Sequence, residues 1–396
     1  MVLSEKELAF IKAHGQDDVT RLLLDAGKYA GLDIPFLAEQ IAARRQVKEK
    51  LPVWAAQETI IYPAKIAAEQ CSSEQTALYK AGLITSDDRV CDLTGGLGVD
   101  SYYLSRKAKS LIYVERFPHY CDAARHNFQV LGCKNIEVVN EDSRLYLEHA
   151  PDVDLYYIDP ARRGEGNRRV YALEDCEPNL VEVLPLLLQK APRVLAKLSP
   201  MADISKTLSL LPGTVAVHVV SVRNECKELL FDIRREKMTG NTLIRCINFD
   251  TRGNQQIFDW QVEEEQQAPL QLADSVKRYL YEPNASIMKS GAFKCVAQRY
   301  DVEKLQVNSH LYVADTCLSD FPGRCFQVEK VLHFSGKLCK TLAKDYPQAN
   351  IAVRNFPLTA DELRKRTHLK DGGDIYLFGT TVGKGDKVLL VTRKLE

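Results

Sequence analysis

Four acidic residues recur at or just past the ends of short apolar runs, and they are where this chain has the means to do chemistry. Asp92 closes RVCD and leads into a turn, Thr94 to Gly98, that carries Gly95, Gly96 and Gly98. Glu115 closes SLIYVE, Asp142 lies just past IEVVN, and Asp159 follows DLYYI with Pro160 behind it. Glycines at a strand-to-helix turn let the backbone bend tightly and approach a ligand closely. Acids at the carboxyl ends of successive parallel strands line the crevice where doubly wound sheets hold ligands. Glu115 by itself suits more than one nucleoside cofactor. The later acid Asp142 and the Asp159-Pro160 pair narrow the choice.

Other candidates surround these acids. Asp159 can accept a hydrogen bond from an amino or imino group and orient its lone pair; the plainer role is a strand-end acid capping a loop. Pro160 removes a backbone donor and fixes the chain as it leaves the strand. Lys197 stands late in an apolar run, where a lysine is costly to bury, and either pairs with Asp159 or reaches a substrate. Arg162, Arg163 and Arg168, with Arg169, form the densest basic cluster nearby. Arginines suit bidentate phosphate contacts, and ion pairs with Glu165, Glu174 and Asp175 are the competing role.

The elements that must position these residues follow from pattern. Residues 1–85 show helical spacing over Thr20–Tyr29, Ile34–Leu51 and Thr76–Ala81, and Ser72 or Ser73 is placed to N-cap the last. Strands are predicted at Arg89–Leu93, Ser110–Glu115, Ile136–Asn140, Asp154–Ile158 and Arg193–Leu198, with helices between, a rhythm that means parallel strands and right-handed crossovers. Thr214–Val222 and Glu228–Ile233 are separated by too few residues for a crossover, so they predict a hairpin with an antiparallel last strand. A further hairpin flanks residues 250–254, and Glu263–Pro269 reads as a linker.

Together these segments resemble a class I S-adenosylmethionine-dependent methyltransferase over roughly residues 70–235. The resemblance implies a Rossmann-like α/β sheet with a terminal antiparallel hairpin. It also implies S-adenosylmethionine as cofactor, with Asp92, Thr94, Gly96, Gly98 and Asp100 in the first motif, Glu115 at the ribose, and Asp142 and Ser143 near the adenine. Asp159, Pro160 and Lys197 then become the catalytic candidates, and Arg162, Arg163 and Arg168 the substrate contacts. The fourth motif reads Asp-Pro-Ala-Arg-Arg and lacks the aromatic of amino-group methyltransferases. The segment after the fifth strand, AKLSPMADI, lacks the nucleophilic cysteine of RNA 5-methyluridine enzymes. YLYEPNASIMKSGAFK and NFPLTADELRKRTHLKDGGDIYLFGTT resemble the ferredoxin-like and THUMP-like domains that end a group of bacterial methyltransferases. That implies small α+β C-terminal domains and RNA as partner. The expected divisions are 1–85 (helical), 86–238 (methyltransferase), 239–268 (hairpin and linker), 269–324 (ferredoxin-like) and 325–396 (THUMP-like).

Composition bounds the rest. Lys+Arg and Asp+Glu balance at 53 each, so a basic surface for nucleic acid must be local. Residues 326–396 hold 13 Lys and Arg against 8 Asp and Glu, with Arg364, Lys365, Arg366, His368 and Lys370 clustered. Eleven cysteines lack a CxxC pair or a Cys/His cluster, which argues against a zinc site and for reduced thiols in a cytoplasmic protein. No run is long and apolar enough to span a bilayer. The reading is a methyltransferase acting on RNA. Methylation of a protein or small molecule, and an RNA-binding adaptor that retains the cofactor pocket, stay open.

Overall fold

The computed structural model describes residues 2–162, 173–236 and 241–395. It forms two units, Met1–Val215 with Leu229–Thr239, and Ala216–Glu228 with Gly240–Glu396.

The first unit opens with α1 (Glu5–Ala13), α2 (Val19–Leu24), α3 (Ile34–Val47), α4 (Pro52–Ala55), α5 (Lys65–Gln70) and α6 (Glu74–Ala81). Asp33 caps α3 by accepting from the Phe36 N–H at 3.1 Å, and Ser73 caps α6 by accepting from the Thr76 N–H at 3.3 Å. Among the described residues no strand pairs with residues 60–62. Two buried amide side chains replace one. Gln40 donates to Tyr62 O (2.7 Å) and accepts from Tyr62 N–H (3.0 Å), while Asn127 does the same for Ile61 (2.7 and 2.8 Å).

The alternating block follows as β1 (Arg89–Asp92), α7 (Val99–Ser105), β2 (Ser110–Glu115), α8 (Pro118–Val130), β3 (Ile136–Asn140), α9 (Ser143–His149) and β4 (Leu155–Ile158). Two-residue strands β5 (Ala161–Arg162) and β6 (Cys176–Glu177) pair antiparallel. Then come α10 (Leu180–Lys190), β7 (Arg193–Leu198), α11 (Ile204–Leu210), β8 (Thr214–Val222) and β9 (Glu225–Arg234). Within this unit the sheet order is β9-β7-β4-β1-β2-β3. β1 is parallel to β2 and β4, β2 to β3, and β4 to β7. Residues Leu229–Arg234 of β9 run antiparallel to β7, the reversed last strand that the short gap predicts. The strand order changes direction at β1, and the carboxyl end of such a strand is where doubly wound sheets bind ligands.

In the second unit the β8–β9 turn is Arg223-Asn224, both at positive φ (52° and 63°), the backbone of a two-residue hairpin. β10 (Leu243–Phe249) and β11 (Gln255–Gln261) form the further hairpin, and β10 also pairs parallel with β8. The stretch read as a linker is helix α12 (Val262–Gln267), opened by a capping box between Gln261 and Glu264. Next come β12 (Tyr279–Pro283), α13 (Ala285–Ser290), α14 (Phe293–Tyr300), β13 (Glu303–Lys304), β14 (Tyr312–Ala314) and β15 (Gly323–His333). The chain ends with α15 (Gly336–Asp345), β16 (Asn350–Arg354), α16 (Ala360–Thr367), β17 (Ile375–Val382) and β18 (Asp386–Lys394). Their sheet has the order β13-β14-β12-β15-β18-β17-β16 around Leu280, Phe326, Phe378 and Leu390. No helix among the described residues is long and apolar enough to cross a membrane.

Asn127→Ala tests the amide clamp. It strands a buried N–H and a buried C=O of Ile61, which costs about 1–3 kcal/mol per group. Urea denaturation should show a loss of about 2–6 kcal/mol. A loss under 1 kcal/mol would mean that the segment re-pairs without the amide.

Candidate active site

The turn between β1 and α7 is held from three sides. Beneath it, the Asp92 carboxylate accepts from Thr94 N–H at 3.0 Å and from Ser101 Oγ at 2.5 Å. This carboxyl is wholly buried; burial pushes its pKa up to about 7, and the two donors offset only part of that cost. Asp92 therefore braces the turn from inside. At the side, Gly95 lies on the Tyr113 ring: a Cβ there would sit 2.2 Å from a ring carbon, so no other residue fits without displacement. Tyr113 Oη donates to Gly96 O at 2.5 Å. Gly98 stands at φ +87°, the left-handed residue from which α7 starts.

On the third side, Glu115 at the end of β2 accepts from Gly96 N–H and from Phe117 N–H, each at 3.0 Å. It bridges the glycine turn and the turn after β2. A Cβ on Gly96 would meet only Thr94 O, at 3.8 Å, so the turn has open space at this glycine. Asp142 N-caps α9 by accepting from Arg144 N–H at 2.9 Å, and Ser143 is the first residue of that helix.

A buried charge network adjoins the turn. Asp100, in the first turn of α7, lies 3.1 Å from the ammonium of Lys80 on α6, and Lys80 is wholly buried. The other Asp100 oxygen accepts from Ser72 Oγ (2.8 Å) and Tyr157 Oη (2.7 Å), and Lys80 also donates to Ser72 Oγ (2.9 Å). Burial works against the Asp100 carboxylate, but the Lys80 and Lys197 ammoniums and these hydroxyls outweigh it and hold its pKa below the usual value. Lys197 of β7 pairs with the Asp159 carboxylate. The Asp159 N–H donates to Thr94 Oγ1 at 2.7 Å. Thr94 thus joins the glycine turn to the strand-end acid, and Asp159, whose side chain is 37% exposed, is open to solvent.

The structure brings together Asp92, Thr94, Gly96, Gly98, Asp100, Glu115, Asp159 and Lys197. Ser72 belongs to the Asp100 network, leaving Ser73 as the α6 cap. Arg163 and Arg168 lie outside the described residues; Arg162 is described only through its backbone pairing with Cys176. Sequence reasoning missed Lys80 and Tyr157. Lys80 had a signal, a lysine on the α6 face that also carries Ala77 and Ala81; Tyr157 sits in an all-apolar run and had none. At the other end of the chain, Arg364 is tied to Asp371 at 2.7 Å and is half-buried, while Lys365, Arg366, His368 and Lys370 are exposed. Among the described residues no group of three or more His, Cys, Asp or Glu is placed to hold a metal ion.

Comparisons with known proteins add to this geometry. A family model described as a ferredoxin-like domain matches residues 279–322, and one described as THUMP domain-like matches residues 323–394. The solved structure of a candidate methyltransferase from Porphyromonas gingivalis W83 is 38% identical, with a TM-score of 0.88 over 100% of both chains. An uncharacterized S-adenosylmethionine-dependent methyltransferase of Mycobacterium tuberculosis is 24% identical over 81% of this chain and 84% of its own. An uncharacterized RNA methyltransferase of Chlamydia muridarum is 33% identical over 24% of this chain and 25% of its own length. The chain spans about a quarter of that relative.

Asp92 gives a test with a definite sign. Its folded-state pKa of about 7 exceeds the unfolded value of about 3.9. Its contribution to stability is therefore full below about pH 4 and is lost as pH rises through 7. Asp92→Asn, which cannot ionise, should gain stability relative to the parent between pH 5 and about 8. Denaturation curves that give the same difference at both pH values would show that Asp92 titrates normally.

Proposed function

The chain belongs to the class I S-adenosylmethionine-dependent methyltransferases that end in a ferredoxin-like and a THUMP-like domain, and from that premise we propose that it methylates RNA. Thr94 carries this reading. Through its N–H it is fixed by Asp92 at the cofactor turn, and through its hydroxyl it fixes the backbone of Asp159. A cofactor turn and a candidate catalytic acid are thereby held in one frame.

The residues fit the cofactor. The open space over Gly96, whose N–H is held by Glu115, suits a ribose with two hydroxyls to donate. Asp142 and Ser143 border the adenine on this reading, and Asp100 lies toward the methionine end. S-adenosylmethionine supplies an electrophilic methyl carbon on a sulfonium. The protein's task is positioning and the exclusion of water. Lys197 holds one oxygen of Asp159; among the described residues the other oxygen is left to accept from a substrate nitrogen and aim its lone pair. Pro160 keeps the backbone from competing as a donor. RNA is favoured by the THUMP domain-like match, by the RNA methyltransferase name of the Chlamydia protein and by the exposed basic residues of α16 and the turn after it. None of the eleven cysteines is described in a disulfide, which suits a cytoplasmic setting.

Glu115→Ala should weaken S-adenosylmethionine binding at least tenfold by calorimetry, since about 1.5–3 kcal/mol goes with each charge-assisted bond. Unchanged affinity would remove Glu115 from the site. The substrate is found by comparing modified nucleosides, by mass spectrometry, in RNA from cells with and without the gene. On that RNA, Asp159→Asn should bind cofactor normally and lower the single-turnover rate about a hundredfold, the scale of one lost orienting contact. Near-parent transfer would reduce Asp159 to a strand-end cap.

A further inference from the structure

Glu282 lies in β12 directly opposite Arg324 of β15. Its side chain is only 3% exposed, yet it accepts from two arginines. Arg324 donates through Nε at 2.9 Å and through Nη2, and Arg354, the last residue of β16, donates through Nη2 at 2.5 Å. β16 stands four places from β12 in the sheet order. At about 4.8 Å per strand a flat sheet would hold them roughly 19 Å apart, so the sheet curls enough for the Arg354 side chain to reach Glu282. Side-chain and backbone bonds seal the same corner, with Ser309 Oγ donating to Thr381 O (2.8 Å) and Gly383 N–H to Leu305 O (3.3 Å).

Closing that corner needs one acid and one base. Here one carboxylate meets two guanidiniums, leaving a net positive charge. Lys387 adds to it: its ammonium donates to Thr381 Oγ1 at 2.6 Å, and that hydroxyl donates to the carbonyl of Asn355, next to Arg354. Lys304 is a fourth cation. It is buried and donates to Val307 O (2.7 Å) and to His310 Nδ1 (3.3 Å). Burial, Lys304 and Arg354 push the His310 pKa down to about 4, so His310 stays neutral and accepts. Glu265, the acid that acts on Lys304 from α12, is already taken by the N–H groups of Lys294 and Cys295 at 2.8 Å each.

The two arginines remain 33% and 39% exposed. Glu282 takes the Nε–Nη2 edge of Arg324, while Arg354 gives Nη2 to Glu282 and Nη1 to Val353 O (2.8 Å). Among the described residues, Nη1 of Arg324 and Nε of Arg354 are left without an acceptor. Rigid, paired N–H donors in a positive field, with the neighbouring acid already saturated, are what a phosphate oxygen needs. We propose that Arg324 and Arg354, set by Glu282, form a docking site for an RNA backbone phosphate in the second unit. The proposal rests on the RNA reading above and adds to it where the substrate is gripped. The α16 patch does not supply the same thing, because its first arginine is spent on Asp371.

The test uses the full chain, with labelled bulk tRNA and labelled rRNA fragments titrated by anisotropy at several salt concentrations. Arg354→Gln leaves Arg324 to compensate Glu282, so the fold should hold, which a thermal melt checks. Affinity should fall about three- to tenfold and the slope of log K against log salt should flatten by about one. Arg324→Gln should do the same. Glu282→Gln keeps both arginines and should bind at least as tightly as the parent; a purely structural clamp would make all three variants alike. Excess inorganic phosphate at constant ionic strength should compete poorly, since a free ion gains only this one contact; full displacement by it would mean a site for free phosphate. Folded arginine variants with the parent's affinity and slope would overturn the site and leave the RNA reading standing. A parent chain that binds neither RNA would overturn both.

Discussion

A buried aspartate cannot stay ionised without partners, and most of the candidate active site follows from how Asp100 is satisfied. Its oxygens take Lys80 and Ser72 from the helical region, and Tyr157 from β4. Three separate parts of the chain are thereby fixed relative to α7 and to the glycine turn before it. A buried lysine and a buried carboxylate each lose several kcal/mol of hydration, so either one alone is strongly destabilising and the pair persists only with added hydroxyl donors. Helices α1–α6 are thus more than a cap: Lys80 is one of the counter-charges the site requires.

How much of this was legible in the sequence depends on what each residue's neighbours reveal. Asp92, Glu115, Asp142 and Asp159 stand at or near strand ends, and strand ends show through apolar runs and turn residues. The reversed strand β9 showed because Arg223–Lys227 cannot hold a crossover helix. Lys80 and Tyr157 did not show, because their partners are 20 and 57 residues away from them at Asp100. The amides of Gln40 and Asn127 were silent for the same reason: a buried Gln or Asn on a helix is recognisable only once the unpaired segment it serves is placed beside it. Helix α12 was misread because EEEQQ lacks apolar spacing. It is held by its ends, through the Gln261–Glu264 box and through Glu265 at the start of α14.

The two units solve one electrostatic problem in different ways. In the first, two carboxylates and two ammoniums alternate, Lys80–Asp100 and Lys197–Asp159, and the group is neutral as a whole. In the second, one carboxylate serves two guanidiniums and the corner stays positive. Neutral, internally paired charge suits a place where reacting groups must be oriented without strong pull on either. Surplus positive charge at a partly exposed corner suits a polyanion, whose attraction acts at a distance and fades with salt.

Lys197 links these ideas inside the first unit. It pairs directly with Asp159 and also helps hold Asp100 ionised. Without it Asp100 would lose part of the positive charge that holds it ionised against its burial. With Lys197 in place, Asp159 has a fixed partner while Asp100 keeps Lys80, Ser72 and Tyr157. Its cost of burial in β7 is therefore tied to the geometry of both carboxylates. A lysine at this point of an apolar strand has a structural reason and a chemical one at the same time, because the ion pair that makes its burial tolerable is the one that sets the orientation of Asp159.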